Sequence, residues 1–555
     1  MTNEIPKSPT YFTIPAAADT VAAVIGDREL IIQGQRRATY AQVVQRSNRL
    51  AAHLYVRGLG CHTERHVLGG HEVGQDLLGI YAHNGPEYVE AMIGCWRARV
   101  APFNVNYRYV KSELQSLLAD SGATALAYHA TFAPRIAEVL PDLPRLRVLI
   151  QIADDSGNDL IHGAVDYESI VATGPVELPP VAPSPEDLYV LYTGGTTGMP
   201  KGVLWRQHDI FMTSFGGRSL YTGEVVETYE QIAERVSEAS ATRLMVLPPL
   251  MHGAAQWAAM SAMTTGQSLV FSSTPERFDA DQIVATIERE QVTTVTLVGD
   301  AMARPLAAAI ENSSADLSSL AVVVNGGATL TPPVKERLIG AKPGLIVADG
   351  VGSSETGSQM HQLSMPKAVS TGTFNPGPDT CVVAEDFGSV LQPGHDGIGW
   401  LAQSGYVPLG YKGDATKTAA TFPTIGGTRY AVPGDRARHL ADGTVELLGR
   451  DAVTINSGGE KIFAEEVETA IASHPAVTDV VVAGRPSERW GQEVVAIVAL
   501  AANSNIDAQE LIDHAASSLA RYKLPKALVF RSTIERSPAG KADYRWAREQ
   551  VSSDA

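Results

Sequence analysis

Between Thr193 and Lys201 the sequence packs three glycines, three threonines and a lysine into nine positions, within the longer run YTGGTTGMPKGV (Tyr192 to Val203). Gly194, Gly195 and Gly198 would let main-chain N–H groups come close to an anion. The hydroxyls of Thr193, Thr196 and Thr197 add donors, and Lys201 adds a compact positive charge. The segment follows an apolar strand pattern, and its composition suits phosphate better than a plain surface turn. It is not a Walker-type loop: Pro200 precedes the lysine and Gly202 follows it, so the hydroxyl that would hold magnesium in that motif is missing.

This loop resembles the signature of the adenylate-forming superfamily of acyl-CoA synthetases, peptide-synthetase adenylation domains and firefly-type luciferases. Gly194 stands where that signature usually carries serine. Further motifs resemble the same superfamily in the same order along nearly the whole chain. LPPLMHG (Leu247 to Gly253) is similar to the segment at the acid-binding pocket and places His252 beside the reacting carboxylate, although a lone histidine is more often structural. VVNGGATL (Val323 to Leu330) is similar to the adenine-binding strand and turn, with Gly326, Gly327 and Ala328 against the base. DGVGSSETG (Asp349 to Gly357) supplies Gly352, Ser354 as a phosphate contact and Glu355 as the magnesium ligand. The chain departs from the pattern at Val351, where an aromatic side chain usually stacks on adenine, and Asp349 is expected to compensate by accepting from the adenine amino group.

YAVPGDRA (Tyr430 to Ala437) resembles the motif whose aspartate accepts both ribose hydroxyls, here Asp435. GRDAVTINSGGEKIFAEEVE (Gly449 to Glu468) resembles the hinge and first C-terminal segment. It places Arg450 near ribose or phosphate, Asp451 at the pivot, and Gly458, Gly459 and Lys461 beside the thiol-acceptor channel. ERSPAGK (Glu535 to Lys541) resembles the loop whose lysine enters the active site. The resemblance therefore implies ATP, Mg2+ and coenzyme A, with Lys541, Glu355, Thr196 and His252 as the catalytic set. The implied reaction is that of an AMP-forming acid–CoA ligase, in which a carboxylate attacks the α-phosphorus of ATP and the acyl group then passes to CoA. Delivery to a separate carrier protein is the alternative acceptor, and a non-catalytic nucleotide-binding protein is the alternative class.

Within the superfamily, RSPAGKADYRWAREQ, TLVGDAMARPL and an insert from Phe215 to Ala241 resemble actinobacterial ligases acting on steroid side-chain and long-chain acids. A bulky hydrophobic acid is the expectation, with a medium- to long-chain fatty acid next. After His252, Ala254, Ala258 and Ala262 recur every four residues, as do Ala255 and Ala259, so one side of that helix is bare. Such a face makes room for an acyl group or packs closely on a sheet. Trp257 is a lid or core.

These side chains need elements to hold them. Thr39 and Gln42 form a capping-box pattern ahead of a helical apolar period that ends near Gly58. Short β-rich runs at Leu188–Thr193, Thr293–Val298 and Ala321–Val324 alternate with helical stretches such as Asp281–Glu290. That pattern predicts an α/β fold with largely parallel strands and function at strand ends. With 555 residues, the chain is expected to form a large multi-subdomain N-terminal domain, residues 1–449, and a small α+β C-terminal domain, residues 450–555, hinged near Asp451.

A net charge of −17 disfavours a nucleic-acid partner. No apolar run reaches the roughly 18 residues of a membrane span, and no export signal is legible, so a cytoplasmic location is expected. Three scattered cysteines offer neither a disulfide framework nor a metal knuckle. His62, His66 and His71, in an unusually long segment from Cys61 to Asp76, match no standard zinc spacing and read as a solvated loop. A small-molecule acid, ATP and CoA are the expected partners, and a homo-oligomer is compatible with the sequence.

Overall fold

A computed structural model describes residues 11–175, 178–193, 200–369, 372–457, 460–487, 490–502, 504, 506–519, 521–536 and 541–553. Two extended sheets make up the larger part. The first, eight strands among the described residues, runs in space from Gly410–Tyr411 through Lys201–Arg206, Leu188–Thr193, Ala101–Asn104, Leu77–Tyr81, Ala125–His129 and Val148–Ile152 to Ala164–Asp166. From Leu188–Thr193 onward its neighbours are parallel. The second, with fourteen strands among the described residues, is parallel across Glu29–Gln33, Ser268–Phe271, Arg243–Val246, Thr294–Leu297, Val322–Gly326 and Ile346–Ser353. It turns antiparallel at Gly357–Ser364 and continues so through Asp435–His439 and Val445–Arg450.

Parallel strands are covered on both faces, which is why Leu77–Tyr81 is apolar and buried throughout. One core joins the two sheets: Leu78, Ile80, Tyr189 and Trp205 from the first share it with Leu244, Val246 and Phe271 from the second. Helices Ile14–Ile25, Tyr40–Val56, Pro86–Arg97 and Gly253–Thr264 contribute to the same core. The Thr39/Gln42 capping box forms in both directions at the start of Tyr40–Val56. The predicted strands and the Asp281–Glu290 helix appear as Leu188–Thr193, Thr294–Leu297, Val322–Gly326 and Ala280–Glu290. In the insert, helix Tyr229–Glu238 packs Ile232 and Val236 into the core beside Ile14–Ile25.

The C-terminal part has a sheet of its own. In a long hairpin, Val477–Ser487 with Gly491–Leu500, the free edge of Gly491–Leu500 pairs at its start with Ile455–Ser457, which leads to Glu460–Ile462, and further along with the parallel strand Ala527–Phe530. Alternation along the hairpin serves two cores. Val480, Val482, Val494, Ala496 and Val498 face helices Ala464–Ala472 and Ala508–Ala516, whereas Val481, Ala483, Val495 and Ile497 face Tyr544–Ser553. The result is the small α+β unit expected from the sequence. No helix among the described residues is long and apolar enough to cross a membrane.

Candidate active site

The candidate residues gather where the parallel strands of both sheets end. Thr193 closes strand Leu188–Thr193 and pairs in register with Lys201 on the antiparallel return. Gly194, Gly195, Thr196, Thr197 and Gly198, which lie between them, and Gly458 and Gly459 fall outside the described residues, as does the Lys461 side chain. The Lys201 ammonium forms an ion pair with Asp414, which also caps the N-terminus of helix Ala415–Thr421 by accepting from the Lys417 N–H at 2.9 Å.

His252 ends the loop ahead of helix Gly253–Thr264, and buried amides fix that loop. Asn104 Nδ2 donates to Tyr192 O at 2.8 Å and Met251 O at 2.7 Å, while Asn84 Nδ2 donates to Pro248 O at 2.9 Å and its Oδ1 accepts from Leu250 N at 2.6 Å. Gln256 completes the network, donating to Leu250 O at 2.7 Å and accepting from the Tyr189 hydroxyl at 2.7 Å. Fully bonded buried networks of this kind hold one geometry. His252 Nε2 itself is buried without a hydrogen-bond partner among the described residues. Burial, with the Lys541 and Arg108 charges adding to it, pushes the imidazole down to about 4, so His252 is neutral at physiological pH. A neutral ring with an unmet polar atom suits a site that a ligand completes.

The turn carrying Glu355 lies between strands Ile346–Ser353 and Gly357–Ser364 and is pinned from the first sheet, where Trp205 Nε1 donates to Ser354 O at 2.8 Å. Ser353 Oγ accepts from the Glu355 N–H at 3.2 Å. The Tyr411 hydroxyl donates to Glu355 Oε1 at 2.7 Å. A half-buried carboxylate held in this way is a hard oxygen donor, and a cation that keeps several waters and binds phosphate oxygens needs only one such protein ligand. Glu355 therefore fits Mg2+.

Asp435 and Arg450 are register partners on adjacent strands, with Arg450 Nε 3.3 Å from Asp435 Oδ1. The Asp435 carboxylate, followed by that of Glu355, raises Arg450 above its ordinary value against the effect of burial. Lys541 shares this field. Protein crowding, then the Arg450 guanidinium, lowers its ammonium, while Glu355 and Asp435 pull it upward. The residue nevertheless keeps solvent exposure, as a lysine facing an open cleft would. Glu355, Asp435, Arg450 and Lys541 thus share one field, and Lys541 links it to His252, 289 positions earlier in the sequence (541 − 252).

Residues 18–411 match the family description "AMP-binding enzyme", and residues 466–541 match "AMP-binding enzyme C-terminal domain". The chain belongs to the AMP-binding enzymes. It is 71% identical over 542 residues to the "Medium-chain acyl-CoA ligase Mig" of Mycobacterium avium, covering 98% of each chain. It is 39% identical over 536 residues to the "3-oxocholest-4-en-26-oate--CoA ligase" of Rhodococcus rhodochrous, covering 95% of this chain and 94% of the other. Among solved structures, the anthranilate CoA ligase AuaEII in complex with anthranoyl-AMP aligns over 99% of this chain and 98% of that one, with a TM-score of 0.81 at 20% identity, a likeness of fold.

In this AMP-binding enzyme Asp349, expected to border adenine, has partners within the protein. Asn325 Nδ2 donates to Asp349 Oδ1 at 2.9 Å, and Lys335 Nζ lies 2.6 Å from Oδ2. Two of the carboxylate's acceptor positions are thus taken inside the protein, and its remaining lone pairs do not bar the expected contact with the adenine amino group. Asn325 also accepts from Gly299 N at 2.7 Å and donates to Ala328 O at 3.0 Å, so it shapes the Gly326–Gly327–Ala328 turn. Val351 sits beside a register shift in its strand, half-buried against the cluster around Met360 and Val382.

The alanines divide. Ala255, Ala259 and Ala262 are buried in the inter-sheet core, where bare faces allow close packing, while Ala254 is exposed and Ala258 half-buried. Trp257 is core. Of the three histidines in the long segment, His62 meets Asp76 at 2.5 Å, and the His71 carbonyl accepts from Gly413 N at 2.8 Å. Sequence reasoning missed Tyr411, Asp414, Asn325 and Lys335. The run GYKGDATK carries a helix-capping aspartate, a signal that could have marked Asp414.

Proposed function

We propose that this chain is an AMP-forming acyl-CoA ligase whose acid is a medium-chain fatty acid. The observation that carries the reading is the Asp435–Arg450 pair, 3.3 Å apart, whose charges with that of Glu355 bear on Lys541 of the C-terminal part. A carboxylate oxygen attacks the α-phosphorus of ATP, a P–O bond forms, and the bond to pyrophosphate breaks. Both reactants are anions, so the protein's task is to position them and offset charge. In this reading Lys541 bridges the acid carboxylate and the α-phosphate. Thr193, Thr196, Thr197 and Lys201 take the β- and γ-phosphates, Ser354 and Gly352 border the phosphates, and Asp435 accepts from the ribose hydroxyls with Arg450 beside it. Gly326, Gly327, Ala328 and Val351 form the adenine wall, and His252 borders the acyl carboxyl group. Bound through Glu355, Mg2+ supplies charge neutralisation on the triphosphate.

In the second half-reaction the CoA sulfur attacks the acyl carbonyl carbon, a thioester forms, and AMP leaves. The division into residues 1–449 and 450–555, with a pivot at Asp451, would let the C-terminal part withdraw Lys541 and bring Gly458, Gly459 and Lys461 to the thiol channel.

The medium-chain assignment follows the relative at 71% identity, which moves the fatty acid ahead of the steroid acid favoured on motifs alone. A steroid side-chain acid is the second reading, supported by the 39% identical relative over nearly the full chain. Purified protein incubated with ATP, Mg2+ and CoA against fatty, steroid side-chain and aromatic acids decides between them, with AMP and acyl-CoA read by mass spectrometry. Turnover of medium-chain acids supports the proposal. Acyl-AMP without thioester would transfer the reading to a carrier-protein acceptor, and no AMP from any acid would overturn it.

A further inference from the structure

Tyr411 is buried, 56 positions from Glu355 in sequence, yet its hydroxyl lies 2.7 Å from Glu355 Oε1. Every part of this tyrosine is held. Its backbone pairs in register with Val203 on the strand that begins at Lys201, and its N–H donates to Thr418 Oγ1 at 2.9 Å. Gly410 before it admits the close approach of helix Ala415–Thr421, since a Cβ there would lie 2.4 Å from Thr418 Cγ2. The Lys417 ammonium sits 4.6 Å from the ring centroid, and the Phe422 ring packs 5.8 Å away. In this pair the hydroxyl is the donor, because an ionised carboxylate can only accept. Such a bond directs a carboxylate. With Oε1 accepting from Tyr411, Oε2 is the oxygen presented elsewhere.

We propose that Tyr411 is a positioning residue for Glu355: its hydroxyl fixes one carboxylate oxygen so that the other faces the divalent cation accompanying ATP. The inference rests on the reading of Glu355 as the cation ligand. It also links the two phosphate-side charges, because Asp414, three residues beyond Tyr411, holds Lys201. One short segment thereby sets both the lysine that meets phosphate and the carboxylate that meets the metal.

The test is Mn2+ binding to the enzyme with a non-hydrolysable ATP analogue, followed by electron paramagnetic resonance in Tyr411→Phe, with Glu355→Gln as reference. Partners behind a metal ligand typically alter affinity by about 10–100-fold, so Tyr411→Phe is expected to weaken Mn2+ by at least roughly tenfold. It should also raise the Mg2+ half-saturation of adenylation while leaving thioester formation from supplied acyl-AMP unchanged. Tyr411→4-aminophenylalanine, which restores a donor, should recover the affinity where Tyr411→4-methylphenylalanine does not. That pair carries the test if Tyr411→Phe fails to fold. Unchanged Mn2+ affinity in Tyr411→Phe, alongside its loss in Glu355→Gln, overturns the role of Tyr411 and leaves Glu355 as the ligand. Unchanged affinity in Glu355→Gln overturns the cation reading itself and the inference with it.

Discussion

Lys335 Nζ lies 2.6 Å from Asp349 Oδ2, with side-chain exposures of 4% and 7%, so an ion pair is sealed into the wall that the sequence assigns to adenine. Burial pushes the Asp349 carboxyl up and Lys335 holds it down. Removing one partner of a buried pair typically costs about 3–5 kcal/mol, whereas replacing both by apolar groups is often neutral. Asp349→Asn is therefore expected to destabilise the protein by roughly 3 kcal/mol in urea unfolding, and adding Lys335→Met should recover at least half of that. A single variant that keeps its stability and only raises the KM for ATP would give Asp349 the role of direct adenine contact.

Lys541→Ala separates the half-reactions. Because Lys541 shares its field with Glu355, Asp435 and Arg450, its loss should remove acyl-AMP formation by about 100-fold or more. Conversion of supplied acyl-AMP and CoA to thioester should stay within about threefold of the unsubstituted enzyme. Equal loss in both assays, each measured by mass spectrometry of the products, would show that Lys541 does not serve adenylation specifically.

What the sequence made legible was local or carried by motif order. The capping box at Thr39 and Gln42 uses a three-residue spacing, and the strand before the Gly-rich loop uses apolar patterning, so both could be read from neighbours alone. The grouping of Glu355, Asp435, Arg450 and Lys541 came from resemblance and not from spacing. Tyr411 against Glu355, and Lys201 against Asp414 across 213 positions, depend on where a two-residue edge strand docks, which no local period encodes. The alanine spacing fixed a bare helix but not its orientation. Only the packing around this helix decides that Ala255, Ala259 and Ala262 are buried while Ala254 is exposed and Ala258 sits at the core's edge.

His252 supplies a pH test. Its folded value near 4 lies below the ordinary 6.5, so between those values the unfolded chain binds more protons and stability falls as pH falls through that window. At pH 5 this contribution is on the order of 1–2 kcal/mol, and at pH 7 it is nearly absent. His252→Gln should therefore lose less stability than the unsubstituted protein when the pH is lowered from 7 to 5, as read by urea midpoints at both values. An identical loss in the two proteins would mean that the imidazole is not held neutral by burial.

Ala258 tests the acyl side. It is half-buried on the helix that follows His252, one turn beyond exposed Ala254 and at the edge of the inter-sheet core, so a larger side chain there would press partly on that core and partly into the space beside the carboxyl group. Overfilling a well-packed core costs roughly 1–3 kcal/mol in stability, but at an open face the cost falls on the ligand that needs the space. Ala258→Phe is expected to lower kcat/KM for the longest accepted acid by about tenfold or more and to spare the shortest, with a stability loss no larger than that of overfilling. Competition between a long and a short acid in one reaction, scored by the ratio of the two acyl-CoA products, reads this directly. An unchanged ratio would place the acyl chain on another wall of the cleft.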